Sequence, residues 1–307
     1  MIIKNRSETY ELLCLRFLNA RMNLSTKDLN NYLNLEKGYI GELKFDKLLL
    51  ENVSDELLTI NDLLLEYKNT FFQIDSVLIS KDTIFLNDVK NFEGDYYVDG
   101  DYWYTISKNE IKNPLEQLKR SESLFRRYLH SLGFSTTIES QLIFINPKFY
   151  LYQAPMNEPI IFPSQLDHYM NKLNKRAVKV QDRHMKLAEH LVANHIKKSP
   201  FTRLPSYSYQ LLKKMIMCKR CYSLNVVIQE GKFVICKCGC KEEIDAAILR
   251  SVEEYRLLFP ERKVTTNDIF EWCGKVKNKK EIWRLLSRNF KVIGHGKYSY
   301  YIIDNSR

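Results

Sequence analysis

The sequence predicts an α/β fold in the first half of the chain, with smaller modules after it. Two neighbouring runs rich in Phe, Ile, Val and Leu fill residues 70–94 and predict two adjacent strands. Helical spacing of apolar residues precedes these runs, and a second helix and a further strand follow them. The order helix, three strands, helix, strand indicates an α/β domain that ends near residue 155.

The first elements of this domain follow from apolar spacing and turn residues. Residues 8–50 are predicted to be largely helical, and residues 57–65 form the first predicted strand. The aromatic segment after the central strands contains Asp99 and Gly100, which together signal a hairpin turn.

A second helix is predicted from residue 114 to residue 132. Asn113 precedes it, Pro114 suits its first turn, and Gly133 closes it. Residues 141–146 then predict another buried strand.

Charged and polar side chains interrupt the two central strands. Because alternate residues of a strand share a face, Gln73 and Asp75 point the same way, as do Asp88 and Lys90. A hairpin with a symmetric two-residue turn pairs residues whose numbers sum to 163, so Asp75 faces Asp88 and Gln73 faces Lys90. Two facing carboxylates repel each other, and a hard divalent ion such as Mg²⁺ fits between them. The alternative is a solvated sheet face with ordinary charged residues.

The first helix contributes a further candidate carboxylate. Gly38 and Gly41 are predicted to lie near the start of a helix, and close approach to another backbone would offset their cost of up to about 1 kcal/mol each. Glu42 precedes Phe45 and Leu49 on one apolar stripe, which indicates an inward carboxylate. The alternative is a surface glutamate on a fraying first turn.

Length and composition limit the classes of protein to which this chain can belong. A chain of 307 residues favours two domains and a small third module, and 45% hydrophobic residues exclude global disorder. No apolar stretch approaches the ~20 residues of a bilayer span. The N-terminus lacks the features of a signal peptide, so we expect a cytoplasmic protein with no membrane partner.

The net charge of +10 comes from the final third of the chain. Residues 1–200 contain 26 basic and 26 acidic residues, whereas residues 201–307 contain 21 and 11. This asymmetry is expected of a module that binds a polyanion. The alternative is a basic surface that serves solubility.

Five of the seven cysteines crowd between residues 218 and 240. Disulfides are rare in the cytoplasm, and structural Zn²⁺ takes four thiolates from two short pairs joined by a hairpin. Cys218 and Cys221 form the first pair. Cys236 and Cys238 are the favoured second pair, with Cys240 as an alternative, so the segment predicts a zinc ribbon.

The C-terminal segment predicts a small winged-helix-like module. Thr265 or Thr266 caps one helix, Gly274 ends it, and a second helix spans residues 278–289. Two strands follow, at residues 290–293 and 298–303, the second of which ends at Ile303. Four basic residues of the second helix and the wing are candidates for contacts with nucleic-acid phosphates. These are Lys280, Arg284, Arg288 and Lys297. The alternative is a module that binds protein or only packs on the first domain.

The predicted division of the chain has four parts. Three prolines between residues 154 and 163 mark a linker, and helical spacing follows over residues 164–197. The parts are an α/β domain, a helical linker region, the zinc ribbon and the winged-helix-like module, at 1–155, 156–210, 211–245 and 246–307.

Four short motifs in the first 150 residues agree in order and spacing with a known family. They are Gly41-Glu42, Gln73-Ile74-Asp75, Asp88-Val89-Lys90 with the following Asn91 to Gly94, and Asn113 to Gln117. In these residues the segment resembles the nuclease-related domain family (NERD), a branch of the PD-(D/E)xK nuclease superfamily. The resemblance implies a restriction-endonuclease-like mixed sheet flanked by helices. Family members usually carry glutamate where this chain has Asp88.

The resemblance also implies a catalytic set and a reaction. The set is Glu42, Gln73, Asp75, Asp88, Lys90 and Gln117. Its three carboxylates would hold one or two Mg²⁺ or Mn²⁺ ions, with the carbonyl of Val89 a further candidate ligand. Lys90 would orient or deprotonate the attacking water, and the two glutamines would position Lys90 or the substrate. The implied activity is metal-dependent hydrolysis of DNA phosphodiester bonds.

Two other classes of function stay open. One is a non-catalytic DNA-binding protein that keeps the nuclease fold as a scaffold, for which Asp88 is the hint. The other is an accessory factor that binds partners in DNA repair or defence, or a second copy of itself.

Overall fold

The computed structural model describes residues 1–302 except the side chain of Lys297, so the predicted strand end at Ile303 lies outside the described residues. Contacts divide the chain into two compact units. The first unit contains residues 1–9 and 33–200, and the second contains residues 10–32 and the chain from residue 201. This division does not follow the predicted boundaries.

The first unit is built on a mixed six-stranded sheet. In chain order, the elements of residues 1–200 are β1 (Ile2–Lys4), α1 (Tyr10–Arg21), α2 (Thr26–Asn52), β2 (Leu58–Tyr67), β3 (Thr70–Ile79), β4 (Thr83–Lys90), β5 (Gly94–Asp99), β6 (Tyr102–Thr105), β7 (Glu110–Ile111), α3 (Pro114–Ser131), β8 (Thr137–Phe144), β9 (Phe149–Tyr152), β10 (Ile160–Ile161), a 3₁₀ turn (Pro163–Gln165), α4 (Leu166–Lys175) and α5 (Asp182–Ala193). The strand order is β1-β2-β3-β4-β8-β10. β2, β3 and β4 pair antiparallel, whereas β4 pairs parallel with β8.

The register of the β3–β4 hairpin is the predicted one. Ser76 pairs with Asn87 and Ile79 pairs with Ile84, so the numbers of facing residues sum to 163. Side chains of these strands alternate between two buried layers because helices cover both faces of the sheet. α3 and α5 cover one face, and α2 and α4 cover the other.

One helical prediction differs from the structure. α2 begins at Thr26, so Gly38 and Gly41 lie in the middle of a helix and not near its start. The helical spacing of residues 164–197 corresponds to two helices, α4 and α5. Leu173 of α4 and Leu191 of α5 are fully buried against the sheet, so much of the predicted linker region contributes to the core of the first unit.

A second, four-stranded sheet of order β7-β6-β5-β9 follows the β4 strand. The predicted turn joins β5 to β6, and Gly100 has the positive φ of +59° that such a turn requires. One side of this sheet is buried through Val98, Trp103 and Phe149, which pack with Phe144 of β8. The small sheet is therefore attached to the main one by a shared aromatic core.

The second unit joins a three-stranded sheet to a group of helices. In chain order its further elements are β11 (Val226–Gln229), β12 (Phe233–Cys236), β13 (Lys241–Glu243), α6 (Ile244–Leu258), α7 (Thr266–Trp272), α8 (Lys279–Asn289), β14 (Lys291–Ile293), a 3₁₀ turn (Gly296–Tyr298) and β15 (Tyr300–Ile302). Thr265 caps α7 by accepting from the backbone N–H of Asp268 at 3.1 Å. Asn278 caps α8 in the same way through the N–H of Glu281 at 3.0 Å. Both predicted helices and the strands after them are present.

Helix α1 belongs to this second unit through a buried ion pair. Arg21 donates to both carboxylate oxygens of Glu254 on α6, at 2.5 and 3.0 Å. Its guanidinium also lies 3.9 Å from the ring centroid of Trp272. All three side chains are buried, so removing one member would leave a buried charge without its partner.

Candidate active site

The two central aspartates lie where the β3–β4 ladder ends. The ladder runs to Ser76 and Asn87, and one further step of its register places Asp75 opposite Asp88. Asp75 is 8% exposed and Asp88 is 7% exposed, so both carboxylates are withdrawn from water. Asp75 Oδ2 accepts from the backbone N–H of Val89 at 2.7 Å, which ties the two strand ends together.

Lys90 and Gln117 complete a group of mutual contacts around Asp88. Lys90 Nζ lies 2.7 Å from Asp88 Oδ2 and donates to Gln117 Oε1 at 3.3 Å. Gln117 Nε2 donates to Asp88 Oδ1 at 3.2 Å. The first turn of α3 positions Gln117, since Asn113 caps that helix through the N–H of Leu115. The structure thus brings together three of the six predicted catalytic residues in direct contact.

Glu42 is held by an arginine that sequence reasoning missed. Arg6 donates to Glu42 Oε2 and to the backbone carbonyl of Asp75, each at 2.7 Å. It also binds Asp46 through Nε and Nη2, at 2.8 and 3.0 Å. The Arg6 side chain is 1% exposed, so this is a buried cation between helix α2 and strand β3. The signal in the sequence was the pair of acids at 42 and 46, which share one helix face and need a partner when that face is buried.

Gln73 is placed differently from its predicted role. Its side chain is exposed and donates to Asp62 Oδ1 at 3.1 Å, whereas the prediction paired it with Lys90. Asp62 lies on β2 with a φ of +55°, an unusual conformation for a residue other than glycine. Lys4 Nζ supports this strained residue by donating to the carbonyl oxygen of Asp62 at 2.7 Å. Gln73 therefore contacts the neighbouring strand in this structure.

Burial and the neighbouring charges shift the pKa values of Asp75, Glu42 and Lys90. Burial, followed by the charges of Glu42 and Asp88, raises the pKa of Asp75 well above its ordinary value. Burial also raises the pKa of Glu42, although Arg6 opposes the shift. Burial lowers the pKa of Lys90, but the carboxylates of Asp88 and Asp75 outweigh it and raise the pKa. The site therefore combines carboxylates whose negative charge is destabilised, at Asp75 and Glu42, with the Lys90 ammonium, whose positive charge is stabilised.

These residues fit a hard divalent cation held by the two aspartates. Asp88 Oδ2 is buried and forms an ion pair with Lys90 Nζ at 2.7 Å. Carboxylate oxygens are the ligands that Mg²⁺ prefers, and a cation would offset the repulsion described above. Within residues 1–302, Glu42, Asp75 and Asp88 do not form a set whose ligand atoms all lie within 4.8 Å of one another. Glu42 is directed to Arg6 instead.

Gly41 gives a test of how α2 packs beside the site. A Cβ at Gly41 would lie 2.5 Å from Asn91 Cβ, whereas a Cβ at Gly38 would meet no atom within 4 Å. We expect Gly41→Ala to lower the free energy of unfolding by about 1 to 3 kcal/mol through overpacking. Gly38→Ala, the matched control, should raise it by up to about 1 kcal/mol because alanine favours the helix. Urea unfolding measures both, and equal effects of the two variants would contradict this packing.

The cysteine-rich segment converges on one point in the second unit. The sulfur atoms of Cys218, Cys221, Cys236 and Cys238 all lie within 4.8 Å of one another, with contacts of 3.5 and 3.7 Å. A tetrahedral Zn²⁺ with Zn–S bonds of ~2.3 Å separates its sulfurs by about 3.8 Å, so the donor set fits this ion. The favoured pairing from the sequence is the observed one, and Cys240 lies outside the set.

Hydrogen bonds donated by backbone N–H groups favour the thiolate form of Cys218. Burial opposes ionisation of Cys218, but the N–H groups of Cys221 and Arg220 outweigh it and lower its pKa to about 6. A thiolate is the form that binds metal, so these hydrogen bonds favour Cys218 as a metal ligand.

Helix α8 presents its predicted basic residues to solvent. Ile282, Leu285 and Leu286 are buried, which leaves the opposite side of the helix exposed. Three predicted contact residues lie on that exposed side: Lys280, Arg284 and Arg288. The fourth, Lys297, has its side chain outside the described part of the chain.

The mixed sheet buries two facing aspartates beside a lysine, which is the arrangement that the resemblance to a nuclease-like domain implies. The family model described as nuclease-related domain (NERD) matches residues 37–145. The match covers about a third of the chain and confirms the resemblance of this segment to the nuclease-related domain family. No curated protein and no solved structure matches the chain. Among the described residues, no helix is long and apolar enough to cross a membrane.

Proposed function

We propose that the first unit is a nuclease that hydrolyses DNA phosphodiester bonds with Mg²⁺ or Mn²⁺. The observation that carries this proposal is the group formed by the buried Asp75 and Asp88 and the partly buried Lys90 at the end of one hairpin, with Gln117 of α3 in contact with it. Asp75 and Asp88 would hold the cation. Once bound, the cation supplies Lewis-acid activation of water and offsets the charge that develops on the phosphate.

The chain's own residues perform the remaining work. The neighbouring carboxylates keep Lys90 protonated. Its ammonium contacts the phosphate oxygens and stabilises the transition state there. Gln117 fixes the direction of the Lys90 ammonium, because it accepts from Lys90 while donating to Asp88. Arg6 holds Glu42 and the backbone of Asp75, so it keeps the strand end in position for the reaction.

In this proposal the second unit binds DNA. The four-cysteine set would hold a structural Zn²⁺, since four thiolates leave no open position for catalysis. The winged-helix-like arrangement of α6 to β15 would present Lys280, Arg284 and Arg288 to DNA phosphates. The excess of basic residues after position 200 supports this assignment.

A substrate panel tests the activity itself. The full chain is incubated with single-stranded, duplex and branched DNA, each with Mg²⁺, with Mn²⁺ or with a chelator. We expect cation-dependent cleavage of at least one substrate and none with the chelator. Absence of cleavage for every substrate, despite tight binding of DNA, would overturn the proposal.

The arrangement of Glu42 favours a second candidate function. Because Arg6 binds Glu42 and position 88 carries the shorter acid, the chain would bind DNA on a nuclease scaffold without cutting it. Asp88→Glu separates the two candidates. Under the scaffold hypothesis, the wild type is inert and the longer carboxylate creates cleavage. Under the first proposal, the wild type already cleaves.

The raised carboxyl pKa values predict how a divalent cation stabilises the first unit. A carboxyl whose pKa is raised by folding favours the protonated folded state, so metal-free stability falls as pH rises above the ordinary carboxyl pKa of about 4. Each pKa unit corresponds to about 1.4 kcal/mol. Bound Mg²⁺ reverses this loss, so we expect it to raise the melting temperature more at about pH 8 than at about pH 5.

Differential scanning calorimetry of the full chain measures this effect. Asp75→Asn is the control, since it removes the buried charge, and it should lose the cation-dependent shift. Equal shifts at the two pH values, or a full shift in the variant, would contradict a cation at Asp75.

A further inference from the structure

One side of the small sheet β7-β6-β5-β9 consists entirely of tyrosines and acids. Residues that pair directly point to the same side of a sheet, and the register of the four strands places eight residues on the side away from the core. We name this surface the tyrosine face, and its residues are Asp95, Tyr97, Asp99, Tyr102, Tyr104, Glu110, Tyr150 and Tyr152.

The tyrosine face is turned to solvent because the other side is committed to the core. Trp103 and Phe149, which alternate with face residues, are 1% and 3% exposed. Tyr102, Tyr150 and Tyr152 are 58%, 58% and 54% exposed. Large aromatic side chains that stand half exposed together are typical of surfaces that bind a partner.

The charges of this surface decide the class of partner. Asp95, Asp99 and Glu110 are its charged strand residues, and none of the eight residues is basic. Proteins that stack nucleic-acid bases on aromatic rings combine those rings with a positively charged groove. Three carboxylates would repel phosphates at this surface, so a nucleic acid does not fit it.

Tyrosine rings beside carboxylates are suited to guanidinium groups. Arginine stacks on aromatic faces through its planar group and forms paired hydrogen bonds with carboxylates. Part of the surface is already ordered: the rings of Tyr97 and Tyr104 stack with centroids 5.2 Å apart. The hydroxyl of Tyr152 donates to Asp95 Oδ1 at 3.2 Å. Ordered contact residues lose little conformational entropy when a partner binds.

We propose that the tyrosine face docks an arginine-rich segment of a partner protein. The surface is separate from the catalytic group, so the inference stands whether or not the first unit cuts DNA. Charge complementarity with the three carboxylates and stacking on the exposed rings are the two interactions that select the segment.

Fluorescence anisotropy with the full chain tests this assignment. The probes are labelled peptides of equal length in which every second residue is Arg, Lys or Glu, together with a single-stranded oligonucleotide. We expect the Arg peptide to bind most tightly, the Lys peptide more weakly and the Glu peptide not at all. The pair Tyr150→Thr and Tyr152→Thr should weaken Arg-peptide binding about tenfold, because threonine keeps the strand but removes the rings.

Two further variants make the result specific to this surface. Asp99→Asn with Glu110→Gln should weaken Arg-peptide binding and reduce its dependence on salt, and these conservative changes keep the sheet intact. Tyr298→Thr is the matched control, since that tyrosine is 77% exposed but belongs to the second unit, and it should leave Arg-peptide binding unchanged.

Three outcomes would overturn the assignment. The Arg peptide binds equally well to the wild type and to both pairs of variants. The tyrosine pair lowers oligonucleotide binding and not peptide binding, which would make the surface a base-stacking platform. Sedimentation shows that the wild type self-associates through these tyrosines without binding the peptide, which would make the partner a second copy of this chain.

Discussion

Lys90→Met is expected to lower the rate of DNA cleavage by roughly 10² to 10⁴. Methionine keeps the length and apolar stem of the side chain but removes the ammonium that lies 2.7 Å from Asp88. The transition state then loses its nearest protein cation, and Gln117 loses the group that it orients. Single-turnover cleavage with saturating Mg²⁺ measures this loss apart from any change in DNA affinity.

Two control variants separate chemistry from general effects of charge. Lys37→Met removes a lysine that is 46% exposed and paired loosely with Glu93 at 3.6 Å, so cleavage should stay within about twofold of the wild type. Lys90→Arg keeps the charge and should retain more activity than Lys90→Met. A Lys90→Met enzyme that is folded by calorimetry and cleaves at the wild-type rate would contradict this role.

Cys218→Ser is expected to abolish stoichiometric zinc and unfold the β11–β13 sheet. Structural zinc sites contribute apparent free energies of about 10 to 16 kcal/mol. The sheet buries Val234 in the core of the second unit, and burial of one such side chain contributes only about 1.5 to 3 kcal/mol. The metal content of the purified protein, measured by mass spectrometry, is the primary readout. Protease resistance of residues 218–243 reports whether the sheet is folded.

Cys240→Ser is the matched control for that experiment. Its sulfur lies outside the four-sulfur set, although the residue is only two positions from Cys238. The variant should keep one zinc per chain and a protease-resistant sheet. Zinc loss in Cys240→Ser with full retention in Cys218→Ser would show that the set of ligands is wrong.

Local periodicity and pairing rules were sufficient for the parts of the site that lie on one hairpin. The register followed from a symmetric turn, and it placed Asp75 and Asp88 face to face because strand alternation has a strict period of two residues. The helix start at Asn113 and Pro114 was visible in the sequence, whereas the role of Gln117 came from the family resemblance. Spacing favoured the cysteine set but left Cys240 as an alternative ligand.

Long-range packing accounts for what the sequence did not reveal. Arg6 lies in a short segment with no motif. Its role depends on the pairing of β1 with β2, which no local sequence pattern predicts. Helix α1 packs with residues after position 200, so sequence order does not give the division into units. Gln73 shares a face with Asp75, but its longer side chain turns to Asp62 on the other neighbouring strand.

The site therefore contains more charged residues than the sequence motifs alone indicate. Arg6 and Lys90 are both nearly enclosed, and together they offset carboxylates that would otherwise repel one another at the end of β3. Such a balance holds the strand ends in place before any substrate or cation arrives.

The rate of DNA cleavage by Asp75→Asn, relative to the wild type, tests the central claim most directly. Asparagine preserves the size of the side chain and can still accept from the N–H of Val89, so folding and DNA binding should persist. With Mg²⁺ under single-turnover conditions, we predict cleavage by the wild type and no detectable cleavage by the variant. Equal rates for the two proteins would show that the phosphodiester bond is not cut at Asp75.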